Sequence, residues 1–99
     1  MATNKMRPIH PGEILREELE EMGLSARALA LALKVPANRI TAILNRRRGI
    51  TASTALRLAR FFGTSPEFWL NLQAAHDLKL AAKTIGTRVL SEVKPRRAA

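Results

Sequence analysis

Residues 25–45 read SARALALALKVPANRITAILN, and this stretch decides the fold. Ser25 is an N-cap candidate, because its hydroxyl can accept from a free amide of a helix's first turn. Ala26 to about Leu33 holds no breaker and is almost all Ala and Leu, so the reading is a short helix buried on most sides. Pro36 marks the start of a further helix that runs to about Arg46. Only Lys34 and Val35 join the two. Two short helices across so tight a turn form an angled pair, the helix-turn-helix geometry. Ala30 supplies the small residue at the crossing, and Leu29, Leu33, Val35, Ile40 and Ile43 supply the apolar lock.

With those residues inward, the exposed face of the second helix holds Ala37, Asn38, Thr41, Ala42 and Asn45. Such groups read base edges in a major groove: Asn pairs with adenine, and Ala or Thr methyls meet the thymine methyl. Arg39 reaches a guanine or a phosphate, and Arg46, Arg47 and Arg48 follow the helix, where they meet the DNA backbone. The competing reading makes Asn38, Thr41 and Asn45 ordinary solvated residues. The charge distribution weighs against it. The 99 residues carry 17 Lys or Arg against 8 Asp or Glu, a net of +9. Residues 25–63 hold eight of the bases and no acid, whereas residues 1–24 are net acidic through Glu13, Glu17, Glu18, Glu20 and Glu21. A solvated surface intersperses both signs, and a long acid-free basic stretch is the electrostatic footprint of a nucleic-acid binder.

Working outward, Pro11 opens a first helix with Ile14, Leu15, Leu19 and Met22 at helical spacing, capped by His10 at its start and by Gly23 at its end. After Gly49, Thr51 or Ser53 caps a fourth helix, with Leu56, Ala59, Phe61 and Phe62 on its apolar side and Gly63 at its end. Ser65 and Pro66 open a fifth helix expected to reach about Thr84 and to stop at Gly86. The fold class is therefore all-α, with five helices and the helix-turn-helix at helices two and three. The expected organisation is a flexible basic arm at 1–9, the domain at 10–86, and a basic, disordered tail at 87–99.

On the fifth helix, Phe68, Leu70, Leu72, Ala74, Ala75, Leu78, Ala81, Ala82 and Ile85 span an arc of about 200°. Packing on one side uses little more than ~100°. Part of this surface is therefore expected to be a homodimer interface built from Phe68, Trp69, Leu70, Leu72 and Leu78. Trp69 anchors either that interface or the domain core.

Other classes fall away on composition. With 46% hydrophobic residues the chain has the makings of a core, unlike a disordered basic tail. Cysteine is absent, which removes disulfides and thiolate chemistry. His10 and His76 stand far apart in sequence with no close acid cluster, so no metal site is expected, and no cofactor. No segment has the ~20 apolar residues of a membrane span, and no signal peptide opens the chain, so a cytoplasmic place is expected. Ser25, Ser53 and Ser65 read as caps, and no nucleophile elbow, acid–base pair or Gly-rich phosphate loop points to an enzyme. Sequence-specific RNA readers present aromatic platforms, and most of the four aromatics here read as core.

The stretch from Ser25 to Asn45 resembles the helix-turn-helix of the lambda-repressor-like (Xre) family. Residues 7–86 look closer still to the HigA-type antitoxins of bacterial toxin–antitoxin modules. The resemblance rests on Arg7-Pro8-Ile9-His10-Pro11-Gly12-Glu13-Ile14-Leu15, on Ile50-Thr51-Ala52 with Ala55-Leu56-Arg57-Leu58-Ala59, and on Ser65-Pro66-Glu67-Phe68-Trp69-Leu70-Asn71-Leu72-Gln73. Lys34 departs from the pattern, since the family's turn commonly has a left-handed Gly there. The resemblance implies a five-helix domain that dimerises on an operator in its own promoter, and a partner toxin that is a small basic endoribonuclease of the HigB/RelE type. It places base reading at Ala37, Asn38, Thr41 and Ala42, and backbone contact at Arg27, Asn45 and Arg46–Arg48. Glu17, Glu18, Glu20 and Glu21 of the first helix are then the candidate contact for the toxin, at a place separate from the DNA face. The alternative within the family is a stand-alone Xre-type regulator without a toxin.

Overall fold

The sequence folds into five helices, and the computed structural model describes residues 7–96. They are α1 (Pro11–Met22), α2 (Ala26–Leu33), α3 (Ala37–Leu44), α4 (Ala52–Phe62) and α5 (Pro66–Glu92). No strand occurs among the described residues. Residues 1–6 of the expected arm and 97–99 of the expected tail lie outside them.

The helix ends follow from local chemistry. His10 caps α1 in a capping box: its Nδ1 accepts from the Gly12 amide at 2.9 Å, while the Glu13 carboxylate accepts from the His10 amide at 3.2 Å. Ser25 and Ser65 accept from the third amides of α2 and α5, each at 3.1 Å. Thr51, not Ser53, is the N-cap of α4, and Ser53 lies exposed inside the helix. Gly23 and Gly63 end α1 and α4 in the left-handed conformation. Lys34 and Arg46 adopt the same conformation without being glycine, at φ 60° and 61°. Each sits in a paired 6→1 and 5→2 closure: Val35 N–H to Ala30 O and Lys34 N–H to Leu31 O, then Arg47 N–H to Ala42 O and Arg46 N–H to Ile43 O. The second closure ends α3 at Leu44, two residues before the expected Arg46.

The core is one cluster. Leu15 and Leu19 of α1, Leu29 and Leu33 of α2, Ile40 and Ile43 of α3, Leu58 of α4 and Trp69 of α5 meet in it. Trp69 is 1% exposed, donates its indole N–H to Thr64 Oγ1 at 2.9 Å, and packs beside the Phe62 and Phe68 rings. It is thus a core anchor and offers no surface to a second copy. Two faces expected to be buried are open. Leu31 on α2 is 68% exposed, and Leu56 and Phe61 on α4 also face solvent. Leu56 and Phe61 line a groove with Ala32, Lys34, Arg57 and Arg60. Eight- and eleven-residue helices in a chain this small can turn only one face to the core.

The largest departure is in α5. It passes through Gly86 and ends at Glu92, so residues 87–92 are helix and not tail. One interior Gly costs about 1 kcal/mol, which a helix already nucleated absorbs, because each further residue adds a hydrogen bond without a new nucleation cost. Pro95 is the next residue that forbids helix in its predecessor. At 1.5 Å per residue α5 is roughly 40 Å long. The described chain extends 53 Å in one direction but only 28 and 24 Å in the others.

Candidate nucleic-acid interface

Burial of Ile40 and Ile43 leaves the opposite side of α3 free. Ala37, Asn38, Thr41 and Asn45 are exposed there, and Ala42 and Arg39 are half-buried. The Thr41 hydroxyl donates to the Asn38 carbonyl at 3.2 Å, so toward a partner its oxygen acts only as an acceptor. Arg39 Nε is buried without a hydrogen-bond partner. Arg27, in the first turn of α2, is exposed, as are Arg46, Arg47 and Arg48 in the turn after α3. Of the expected base-reading and backbone-contacting residues, Ala37, Asn38, Thr41, Asn45, Arg27 and Arg46–Arg48 are thus open to solvent, whereas Ala42 and Arg39 are only partly so.

Four devices hold that turn, and none was read from the sequence. Gly12, in the first turn of α1, lies against the backbone of Ile43, so closely that a β-carbon would overlap the Ile43 carbonyl oxygen. Arg16 donates to the Leu44 carbonyl at 3.3 Å. Glu13 takes both guanidinium nitrogens of Arg7, at 2.7 and 2.9 Å, and lies 3.9 Å from Arg46. These partners, the Arg7 hydrogen bonds first, hold the Glu13 carboxyl down at about 2. From the other side Gln73 of α5 accepts from the Ile50 amide at 2.6 Å and donates to Asp77 at 3.0 Å. Its side chain also fills the space a β-carbon on Gly49 would need. Arg57 is used internally, donating to the Leu33 carbonyl at 2.8 Å. The one sequence signal for this clamp was Gly12 itself, since a glycine inside a helix marks close backbone approach.

The expected dimer residues separate. Trp69 is in the core, and Leu70 and Leu72 pack against it half-buried, whereas Phe68 and Leu78 are exposed, Leu78 at 71%. Beyond the core α5 carries exposed Leu78, Ile85 and Val89, and with Ala82 they recur at four, three and four residues.

Of the glutamates on α1, Glu17, Glu20 and Glu21 are exposed and Glu18 is half-buried. Their expected separation from the DNA face does not hold. Glu17 and Glu20 line one cleft with Arg16, Asn45 and Arg46, so the acidic helix borders the basic turn. The cause is the packing of α1 on the C-terminal end of α3. Among the described residues no cluster of three His, Cys, Asp or Glu side chains is placed to hold a metal. No described helix is long and apolar enough to cross a membrane.

Fold and surface together define a helix-turn-helix protein of the lambda-repressor-like class. Residues 15–69 match the family described as Helix-turn-helix. The chain is 62% identical over 79 residues to virulence-associated protein I of Dichelobacter nodosus, covering 79% of this chain and 73% of that protein. An addiction module antidote protein of the HigA family from Coxiella burnetii superposes with a TM-score of 0.90 at 62% identity, over 92% of this chain and 100% of that one. Antitoxin HigA of Pseudomonas aeruginosa, solved with the higBA promoter, superposes with a TM-score of 0.88 at 48% identity, over 92% and 100%. The chain belongs to the helix-turn-helix family of HigA-type antitoxins.

Proposed function

We propose that this chain is an antitoxin and transcriptional autorepressor of the bacterial cytoplasm. Two copies bind an inverted-repeat operator in its own promoter and, by direct contact, neutralise a small basic mRNA-cleaving toxin of the HigB/RelE type. The observation that carries the DNA half is the exposed face of α3, with Asn38 and Thr41 on it and Arg46–Arg48 beside it, in a stretch without one acidic residue. A relative with 48% identity was solved on promoter DNA, which supports the same role. Ala37, Asn38, Thr41 and Ala42 read base edges, while Arg27, Arg39, Asn45 and Arg46–Arg48 hold the phosphates and fix the register.

The second copy docks through α5. Leu78, Ile85 and Val89 project from a helix that has left its own core, at the spacing of a two-helix seam. Phe68 lies nearer the domain on the same helix. Two α3 helices related by a two-fold axis then read half-sites roughly 34–36 Å apart or a multiple of that. The toxin is met by the glutamates of α1. Because Glu17 and Glu20 share a cleft with Arg46, toxin on that face and DNA on the turn compete for neighbouring ground. Footprinting on the chain's own upstream DNA tests the reading. A symmetric protected pair of half-sites is expected, and no protection refutes it. Protection of DNA with no capture of a basic partner leaves the stand-alone regulator.

A further inference from the structure

His10 is the one buried titratable side chain in the clamp on the DNA-facing turn. Its Nδ1 accepts the Gly12 amide at 2.9 Å, so that nitrogen must be bare and the neutral ring carries its hydrogen on Nε2. The ring stands edge-on to His76 of α5, with centroids 4.9 Å apart. His76 Nδ1 lies 3.0 Å from Asp77 Oδ1. The charged groups facing His10 are His76 and Asp77 from α5, Glu13 from α1 and Arg46 from the turn after α3. The amide that His10 holds belongs to Gly12, the residue seated on the Ile43 carbonyl. One imidazole nitrogen thus orders the α1 turn on which the C-terminal end of α3 rests.

We infer that His10 is a positioning residue for the recognition helix and works only as a neutral imidazole. A proton on Nδ1 unlatches the first turn of α1 from the last turn of α3 and weakens operator binding. The inference rests on the DNA-binding reading above. Protonation would exchange an acceptor for a donor facing the Gly12 N–H. It would also set a positive charge at the positive end of the α1 dipole, beside His76 and Arg46. Burial, then the neighbouring His76, already lower the His10 pKa below its ordinary value. The stabilisation from neutral His10 is therefore complete above about pH 6.5 and is lost as pH falls through the depressed folded value. Plain electrostatics has the opposite sign, because an added positive charge near a DNA face tightens binding.

The test is operator affinity at constant ionic strength from pH 7.5 to 5.5. It is paired with amide shifts of the free protein by two-dimensional NMR over the same range. For the wild type affinity should fall severalfold by about pH 5.5, and by less than about tenfold because the His10 pKa lies below its ordinary value. His10→Asn keeps a capping acceptor and cannot titrate, so its affinity should stay within about twofold. His76→Gln removes a repulsive neighbour and should move the loss to higher pH. In the free wild type the Gly12 and Ile43–Arg46 amides should titrate together. Affinity that is flat or rises on acidification overturns the inference, as does an equal loss in His10→Asn. So does a Gly12 shift that leaves Ile43–Arg46 unmoved, which needs no variant. Co-titrating amides in a protein that binds no operator at pH 7.5 keep the latch and refute the DNA reading instead.

Discussion

Gly12 of α1 rests on the carbonyl oxygen of Ile43, so that the first helix props the end of the third. The neighbour on the far side is backbone in a closed helix end and cannot step aside. Gly12→Ala should therefore cost about 1–3 kcal/mol, the usual penalty of overpacking. Urea unfolding measures it. Operator affinity should fall as well, because the displaced element carries Asn45 and Arg46.

Lys34 makes the turn of the helix-turn-helix at φ 60°, where a side chain is strained. Glycine relieves that strain of roughly 1–2 kcal/mol, less the extra freedom it adds to the unfolded chain. Lys34→Gly should be net stabilising by about 0.5–1 kcal/mol on those terms, raising the urea midpoint with the slope unchanged.

Asn38 and Arg47 should fail in different ways. Asn38→Ala should cost ~1–3 kcal/mol and relax preference at one base pair, whereas Arg47→Ala should weaken all sequences alike and reduce the salt slope by about 0.9. Competition binding with single-substituted operators at several salt concentrations separates them. An unchanged preference in Asn38→Ala means α3 is wrongly placed in the groove.

Trp69 and Ile85 divide core from interface. Trp69→Ala should remove about 3–5 kcal/mol of stability through a cavity among Leu58, Phe62 and their neighbours. Ile85→Asp touches no core residue and should leave each copy folded while breaking the dimer. Light scattering at micromolar concentration, set beside circular dichroism, reads both. A wild type that stays monomeric there refutes the α5 seam.

Glu13 predicts the behaviour in strong acid. Its folded value of about 2 lies below the ordinary 4.5, so the folded state favours the carboxylate. The contribution is complete above about pH 5 and is lost as pH falls toward 2. The side chain is partly exposed, so solvent screens the pair, and about 1 kcal/mol is the expected worth of the capping box at neutral pH. Glu13→Gln should lose about that much at pH 7 and unfold with a shallower pH dependence between 5 and 2.

Much of this was legible in residue types. Ser25, Ser65, Gly23, Gly63 and the Pro11 and Pro66 starts set the helix boundaries to within a residue or two, because capping is local chemistry. The same holds for the outward face of α3, which periodicity alone assigns once Ile40 and Ile43 are inward. What failed was not local. Gly86 reads as a stop and is not one, since a single glycine costs less than a continuing helix returns. Leu56 and Phe61 read as core and face solvent, since apolar character does not say which neighbour arrives to cover it.

The sequence by itself determined five helices, the helix-turn-helix and the side of it that is basic, because caps, periodicity and charge runs act within a few residues. Only the tertiary structure decided that Trp69 belongs to the core, that α5 projects with Leu78 and Ile85 uncovered, and that α1 props α3. Those facts depend on contacts between residues twenty or more apart, such as Gly12 with Ile43, Gln73 with Ile50 and His10 with His76. No pattern of spacing encodes such meetings. They arise when the helices pack, and here they tie the cap of the first helix to the turn that faces DNA.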